Sequence, residues 1–366
     1  MKIFLLFVLL SPFSLLAQEQ AVALLLPSIN PEALEPNEAL QTTGAGCEMP
    51  EHNNFEIVRG TTEFFEFEIP EAIRGRLAQT KLVCYRLTED PKLKYSVQVP
   101  FTKVPREQKI IGFIREMQLS PKLQNDCFLE IEKEAHLVGS YLVLDKVYPI
   151  SEKPMPVKGV RGEKVSPEIE AKLKAEGAAL GRAYRNSSPR PLFRSPFIEP
   201  LEGPISSPYG TERKYKNAGI HGRHSGLDYG VPEGTEVYAV NDGIVTGAIS
   251  LYYEGNILII DHGMEIFSLY MHLSQFKVKV GDKVKQGDLV ALSGGTGKQT
   301  TGPHLHWSMR LSKDKTDPRS VVEASKKFIE ARERNIGKLT NKKLEFPVPE
   351  LKLPTKLPPI KLQTRQ

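Results

Sequence analysis

Between His224 and His306 the chain sets metal-binding side chains at even spacings on runs that read as β-strand, and that combination calls for a sheet. The segments are His224-Ser225-Gly226-Leu227-Asp228, Tyr270-Met271-His272 and Gly302-Pro303-His304-Leu305-His306. A spacing of four puts His224 and Asp228 on one side of a helix, and equally on one side of a strand. Gly226, Gly230 and Pro232 disfavour the helix, so the segment reads as a loop entering a strand with both side chains inward. Pro303 to Met309 reads as a strand that turns His304 and His306 to one face. Phe267 to His272 is a third such run, and strict alternation predicts a shared face for Ser268, Tyr270 and His272.

Imidazole and carboxylate are the donors zinc takes, usually three from the protein with one position left open for catalysis. His224, Asp228 and His306 would complete such a set. Two histidines on one face are either two ligands or one ligand and a catalytic neighbour, and His304 takes the second role here. His272 supplies a further imidazole. Any one histidine alone is more simply a surface or core residue; it is the convergence of five polar residues that a metal hydrolase requires.

The block resembles the lysostaphin/LytM-type zinc metallopeptidases, which cut peptide cross-links of bacterial peptidoglycan. Their pattern is H-x-x-x-D, a later lone His, then H-x-H, matched by His224 with Asp228, His272, and His304 with His306. Flanking text agrees: Gly226-Leu227-Asp228-Tyr229, Pro232-Glu233-Gly234-Thr235, Tyr270-Met271-His272-Leu273-Ser274 and Thr301 to Trp307. The likeness runs from about Pro204 to about Pro318, and Met271 stands where the family often has a small residue. The resemblance implies zinc held by His224, Asp228 and His306, with catalysis by His272 and His304. It also implies a structural role for His262 in Asp261-His262-Gly263. His221 reads as a loop residue; His52 and His136 lie outside the block and receive no role. Some relatives have lost their ligands and act as activators of other cell-wall hydrolases. All five positions are kept here, which favours an active enzyme.

The fold expected is mainly β. Between residues 53 and 150, Phe65, Phe67 and Ile69 alternate with Glu66 and Glu68, the mark of a half-buried strand. Leu82 to Tyr85, Tyr95 to Val99, Ile110 to Ile114 and Tyr141 to Leu144 read similarly, so a small β-sandwich is predicted. The resemblance makes it immunoglobulin-like. Residues 151–200 join the units through a helix opened by Ser166-Pro167-Glu168 and striped by Ile169, Leu173, Leu180 and Tyr184. That helix either docks plainly or lies over the groove and restrains the enzyme. Residues 201–320 form the predicted antiparallel peptidase domain with a zinc groove. Its expected strands include Val237–Val240, Gly243–Val245, Asn256–Ile260 and a run from Lys283 to Leu292. Gly294-Gly295-Thr296-Gly297 lacks the Lys-Ser/Thr of a phosphate loop and reads as the groove edge. Residues 321–366 are a helix followed by an extended Pro- and Lys-rich tail.

Met1-Lys2, an apolar run from Ile3 to Leu16 and the small Ala17 predict a signal peptide over 1–17, ahead of a Pro/Ala/Glu-rich arm at 18–52. The run falls short of the roughly 20 residues of a membrane span, so no stable span is expected after cleavage; an uncleaved anchor is the alternative. Export places the chain in the periplasm or outside the cell, where peptidoglycan peptide stems are the expected partner. Of Cys47, Cys84 and Cys127, two can pair in an oxidising compartment, and the sequence does not say which. The net charge of +5 favours anionic wall polymers, although its basic tail reads equally as a solvated one. No nucleic-acid motif is present, so no nucleic-acid partner is expected. Two other functions stay open: a groove-binding activator, and a zinc peptidase acting on proteins.

Overall fold

The computed structural model describes residues 41–42, 54–88, 95–104, 107–151, 155–215 and 221–334. The expected signal peptide, nearly all of the arm, Cys47, His52 and the basic tail lie outside the described residues. Among the described residues no helix is long and apolar enough to cross a membrane.

The N-terminal unit holds β1 (Gln41–Thr42), β2 (Asn54–Val58), β3 (Thr62–Glu68), β4 (Lys81–Arg86), β5 (Ser96–Val99), β6 (Phe101–Lys103), β7 (Lys109–Arg115), β8 (Gln124–Ile131) and β9 (Glu134–Leu144). One sheet runs β1-β9-β8-β4-β5, with β2 also on β9; the other runs β3-β7-β6. β1 and β2 pair with β9 in parallel, and the remaining pairs are antiparallel. The inward residues of both sheets, among them Phe65, Phe67, Leu82, Ile110, Leu129 and Tyr141, share one core. Cys84 and Cys127 stand opposite each other on β4 and β8 and form a disulfide.

α1 (Pro167–Ala183) follows. The Ser166 side chain accepts the Ile169 N–H, and Pro167 fits the first turn, where no backbone donor is needed.

The C-terminal unit comprises β10 (Ile205–Ser207), β11 (Glu212–Lys214), β12 (His221–Arg223), β13 (Leu227–Tyr229), β14 (Glu236–Tyr238), β15 (Gly243–Leu251), β16 (Gly255–Asp261), β17 (Ile266–Leu273), β18 (Gln275–Phe276), β19 (Lys283–Val284), β20 (Leu289–Leu292), β21 (Leu305–Leu311), β22 (Asp314–Thr316) and α2 (Pro318–Glu333). Its main sheet runs β10-β13-β21-β17-β16-β15-β19, with β22 also on β21, and every pair is antiparallel. β17 is buried along its whole length, which explains its near-continuous apolar run. Leu258, Ile260, Tyr270, Trp307 and Met309 turn to the larger core; Ile257, Ile259, Phe267, Leu269 and Met271 turn to the opposite face, where Leu180 and Ala183 of α1 and the Tyr184 that follows it cover one end.

The stretch from Lys283 to Leu292 is two strands in different sheets, not one run. β19 pairs with β15, whereas β20 pairs with β14 and β18. The chain turns between them at Gly287, whose φ of 84° suits glycine. The two units are not separate bodies. Phe113 of β7 stacks on Phe328 of α2 at 4.8 Å, Arg115 donates to the Leu311 carbonyl at 2.9 Å, and the Asp317 amide donates to the Gly60 carbonyl at 2.8 Å.

Candidate metal centre

β13, β21 and β17 lie side by side, and their register builds the centre. Asp228 stands opposite His306, and His306 opposite Met271, so all three share one face of the sheet. His224 reaches the same point from the loop before β13. Asp228 Oδ1 lies 2.9 Å from His224 Nε2 and 2.7 Å from His306 Nδ1, and the two nitrogens are 3.0 Å apart. All three residues are buried, at 2–6 % exposure. Gly226 makes this approach possible: a Cβ there would lie 2.4 Å from the Trp307 carbonyl oxygen and 2.6 Å from His306 Nε2.

The outer nitrogens of both rings are committed. His224 Nδ1 donates to the Pro208 carbonyl at 2.8 Å, and His306 Nε2 donates to Ser308 Oγ at 2.8 Å, which in turn donates to the Ser225 carbonyl at 2.9 Å. In neutral rings the inner nitrogens then carry no proton. Two lone pairs and a carboxylate oxygen converge, an arrangement stable only around a cation or an extra proton. Burial lowers the pKa of His224 and of His306, which disfavours the extra proton. Burial would raise Asp228, but the charge and hydrogen bonds of His224 and His306 outweigh it and hold the carboxylate well below its usual range. Asp228 Oδ2 is occupied by Arg213 at 2.5 Å, leaving Oδ1 to the centre. This donor set, two imidazole nitrogens and one carboxylate oxygen, is what zinc takes at an open catalytic site, so the residues fit the ion.

His304 and His272 flank the centre. His304 Nε2 is 3.7 Å from Asp228 Oδ1, and the two flanking rings are 4.7 Å apart. Each donates its Nδ1–H to a backbone carbonyl at 2.9 Å, His304 to Gly302 and His272 to Thr296, so that each keeps a bare Nε2. Burial, then the nearby His304, lowers His272 to about 4. Thr296 belongs to the glycine-rich groove edge, and Gly294 of the same loop bridges to His304.

The expected shared face of Ser268, Tyr270 and His272 does not form. Ser268 and Tyr270 point to the core, their hydroxyls 3.1 Å apart. β17 carries one extra residue against β16 between Tyr270 and Leu273, and His272 in that bulge has φ 61°. The bulge breaks the alternation and turns His272 to the face of Asp228 and His306, beside Met271. His262 is a core residue: its Nδ1 donates to the Asp242 carbonyl at 2.7 Å, and Nε2 lies 2.8 Å from Ser268 Oγ. The His221 backbone pairs with Lys214, and His136 pairs with Glu134 away from the centre.

Sequence reasoning missed Arg213 and Ser308. Ser308 was findable, because the parity that places His304 beside His306 also places Ser308 there. Arg213 was not, since nothing in the text brings the β11–β12 hairpin over Asp228. α1 lies on the face of the sheet that carries His224, Asp228 and His306, at the end remote from them, where Tyr184 packs edge-on against Phe267 at 5.2 Å. The segment leading to it links the groove walls: Met155 bridges to Tyr215, the Lys158 amide donates to the Lys298 carbonyl at 3.0 Å, and Arg161 pairs with Glu254 at 2.6 Å.

Residues 222–318 match peptidase family M23. The chain is 40% identical over 105 residues to the peptidoglycan DD-endopeptidase ShyA of Vibrio cholerae, covering 29% of this chain and 24% of that protein. It is 38% identical over 126 residues to the DD-carboxypeptidase/endopeptidase Mpg of Neisseria meningitidis, covering 34% of this chain and 29% of that one. The chain spans about a third of the length of the curated relatives it matches. A crystal structure of a putative peptidase M23 from Pseudomonas aeruginosa has the same fold, with a TM-score of 0.51 at 24% identity, over 73% of this chain and 95% of that one.

Proposed function

We infer that this chain, which carries a family M23 metallopeptidase domain at 222–318, is a zinc-dependent endopeptidase that hydrolyses peptide cross-links of bacterial peptidoglycan. Three unprotonated donors converging from His224, Asp228 and His306, with two further free imidazole nitrogens beside them, carry this reading. The names of the relatives in Vibrio and Neisseria support the substrate. Work on peptidoglycan fits the exported location expected from the N-terminal sequence, in the periplasm or outside the cell.

Zinc bound at the centre supplies Lewis acidity, polarising a carbonyl and acidifying water. The remaining work falls to side chains. His304 Nε2 and His272 Nε2 face the same space, and either can accept the proton that water loses as its oxygen bonds to the amide carbon. Once protonated, the imidazole donates to the developing oxyanion and then to the leaving nitrogen, which completes the cleavage of the C–N bond. The backbone carbonyls of Gly302 and Thr296 keep both rings in the tautomer this needs. We assign the N-terminal sandwich, pictured by the resemblance as immunoglobulin-like, a positioning role, since it shares a core with α2.

The test is digestion of isolated peptidoglycan with and without a zinc chelator, with fragments read by mass spectrometry. Chelator-sensitive loss of cross-linked dimers is expected. His306→Ala should lose zinc and activity together; His304→Ala should keep zinc and lose activity by roughly a hundredfold or more. Normal cleavage by His304→Ala protein would refute the assignment.

A further inference from the structure

We propose that Gln118 of the N-terminal sandwich is a positioning residue for the zinc ligand His224, so that the metal centre is completed across the boundary between the two units. The inference rests on the zinc part of the reading above and goes beyond it, because Gln118 lies far outside the matched residues 222–318.

His224 stands between β12 and β13, outside either strand. Its backbone is held from two sides. The amide donates to the Thr211 carbonyl at 2.9 Å, and the carbonyl accepts the Gly210 amide at 2.8 Å. A carbonyl oxygen has a second lone pair, and this one accepts Gln118 Nε2 at 3.0 Å. Since a carbonyl only accepts, it is the amide nitrogen of Gln118 that faces His224.

Gln118 is carried on a turn that the sandwich fixes. The Met117 carbonyl accepts the amides of Gly60 and Ser120, each at 3.1 Å. The buried Glu116 carboxylate accepts from the Tyr141 hydroxyl at 2.8 Å and from the Ser120 hydroxyl. The same unit also clamps the other support of His224. Pro208 opens the turn to Thr211, and its carbonyl accepts the His224 Nδ1–H at 2.8 Å. Tyr148, just after β9, wedges between that turn and the sandwich. Its hydroxyl donates to the Arg59 carbonyl at 2.5 Å, and its ring leaves no room for a Cβ at Gly60 or at Gly210. The N-terminal unit thus reaches His224 by two routes, directly through Gln118 and through Tyr148 and the turn.

The consequence lies in the metal-free protein. His224, Asp228 and His306 bring together lone pairs that repel, so the donor set keeps its shape only where the backbone stops His224 from turning away. Order imposed before binding is order the ion need not impose. Without the Gln118 donor the His224 carbonyl keeps one partner, Gly210, and the ligand gains freedom that zinc must remove. One neutral hydrogen bond corresponds to about fivefold in affinity.

The experiment measures zinc affinity of the full chain by competition against a chromophoric chelator. The d–d spectrum of the cobalt-substituted protein and thermal denaturation of the metal-free protein accompany it. Gln118→Met keeps the length and removes the donor; Gln118→Glu keeps the shape and sets an acceptor against the carbonyl. Thr62→Val is the control, since it removes the 2.9 Å bond between the Thr62 and Thr316 hydroxyls across the same boundary without touching His224. Gln118→Met should lower zinc affinity about fivefold and shift the cobalt spectrum, and Gln118→Glu should lower affinity further; Thr62→Val should cost stability alone. If Gln118→Met does not fold, Gln118→Glu decides. Affinity and spectrum unchanged in the Gln118 variants, or an equal loss of affinity in Thr62→Val, would overturn the inference. Activity does not enter the comparison. Wild type that binds zinc but cleaves no peptidoglycan therefore sinks the peptidase reading alone, whereas wild type that binds no zinc overturns both.

Discussion

Ser308→Ala should weaken zinc binding without touching a ligand. Ser308 Oγ accepts the Nε2–H of His306 at 2.8 Å and donates to the Ser225 carbonyl at 2.9 Å. Both bonds are lost in the variant. In the zinc-free protein each is worth about 1 kcal/mol, so stability should fall by roughly 2 kcal/mol. Once His306 binds zinc, its ring carries part of the metal's charge, and the Nε2–H bond moves into the charged class, worth about 1.5–3 kcal/mol. The difference between the two states, about 0.5–2 kcal/mol, is what zinc affinity loses, roughly 2- to 30-fold. Outer-shell partners of ligating histidines generally cost about 10- to 100-fold when removed, and the two ranges overlap. Competition against a chromophoric chelator at neutral pH measures the affinity, and thermal denaturation of the metal-free protein measures stability. A variant with the expected loss of stability whose zinc affinity equals that of wild type would refute the argument. His306 would then be oriented by the sheet alone.

Gly226→Ala should abolish zinc binding, because its Cβ would press within 2.6 Å of His306 Nε2 and within 2.4 Å of a backbone oxygen; metal analysis of the purified variant reads this directly. His262, held down to about 4 by burial, makes stability depend on pH. Its folded pKa lies below the unfolded value of 6.5, so the unfolded chain takes the proton first. The stability is therefore full above about pH 6.5 and falls by roughly 3 kcal/mol as pH drops toward about 4, at about 1.4 kcal/mol per unit; urea titrations of wild type and His262→Gln across that window should diverge. Reducing the Cys84–Cys127 disulfide, which spans 43 residues, should cost about 4 kcal/mol by chain entropy. A melting temperature unchanged by reductant would contradict that.

The strands that carry the centre were legible because both of their faces are constrained. Parity fixes which residues of β13 and β21 can meet, and Gly226, Gly230 and Pro232 remove the helical alternative for the first pair. The capped start of α1 was equally open, since Ser166 and Pro167 act locally. Long-range pairing was not. The division of Lys283–Leu292 between two sheets depends on which neighbours each half finds, and the disulfide partners depend on the register of β4 against β8. Arg213 belongs with these, because its partner Asp228 lies on a strand its own hairpin does not pair with.

His272 marks the point where a sound rule gave the wrong geometry. Strict alternation sends it to the core with Tyr270, where its second nitrogen would meet apolar side chains. The chain instead accepts an extra residue in β17 and a left-handed backbone at His272. For a non-glycine residue that conformation is uncommon and costly by roughly 1 kcal/mol or more, and it persists only where the surroundings hold it. Here they do: the His272 amide donates to the Glu254 carbonyl at 3.0 Å, its carbonyl accepts from Thr296 at 3.3 Å, and its ring donates to the Thr296 carbonyl. A glycine at this position would relax the backbone but supply no imidazole. That the sequence keeps a histidine in a strained bulge, next to three donors that need a cation, argues that the ring's place at the centre matters more than the regularity of the strand.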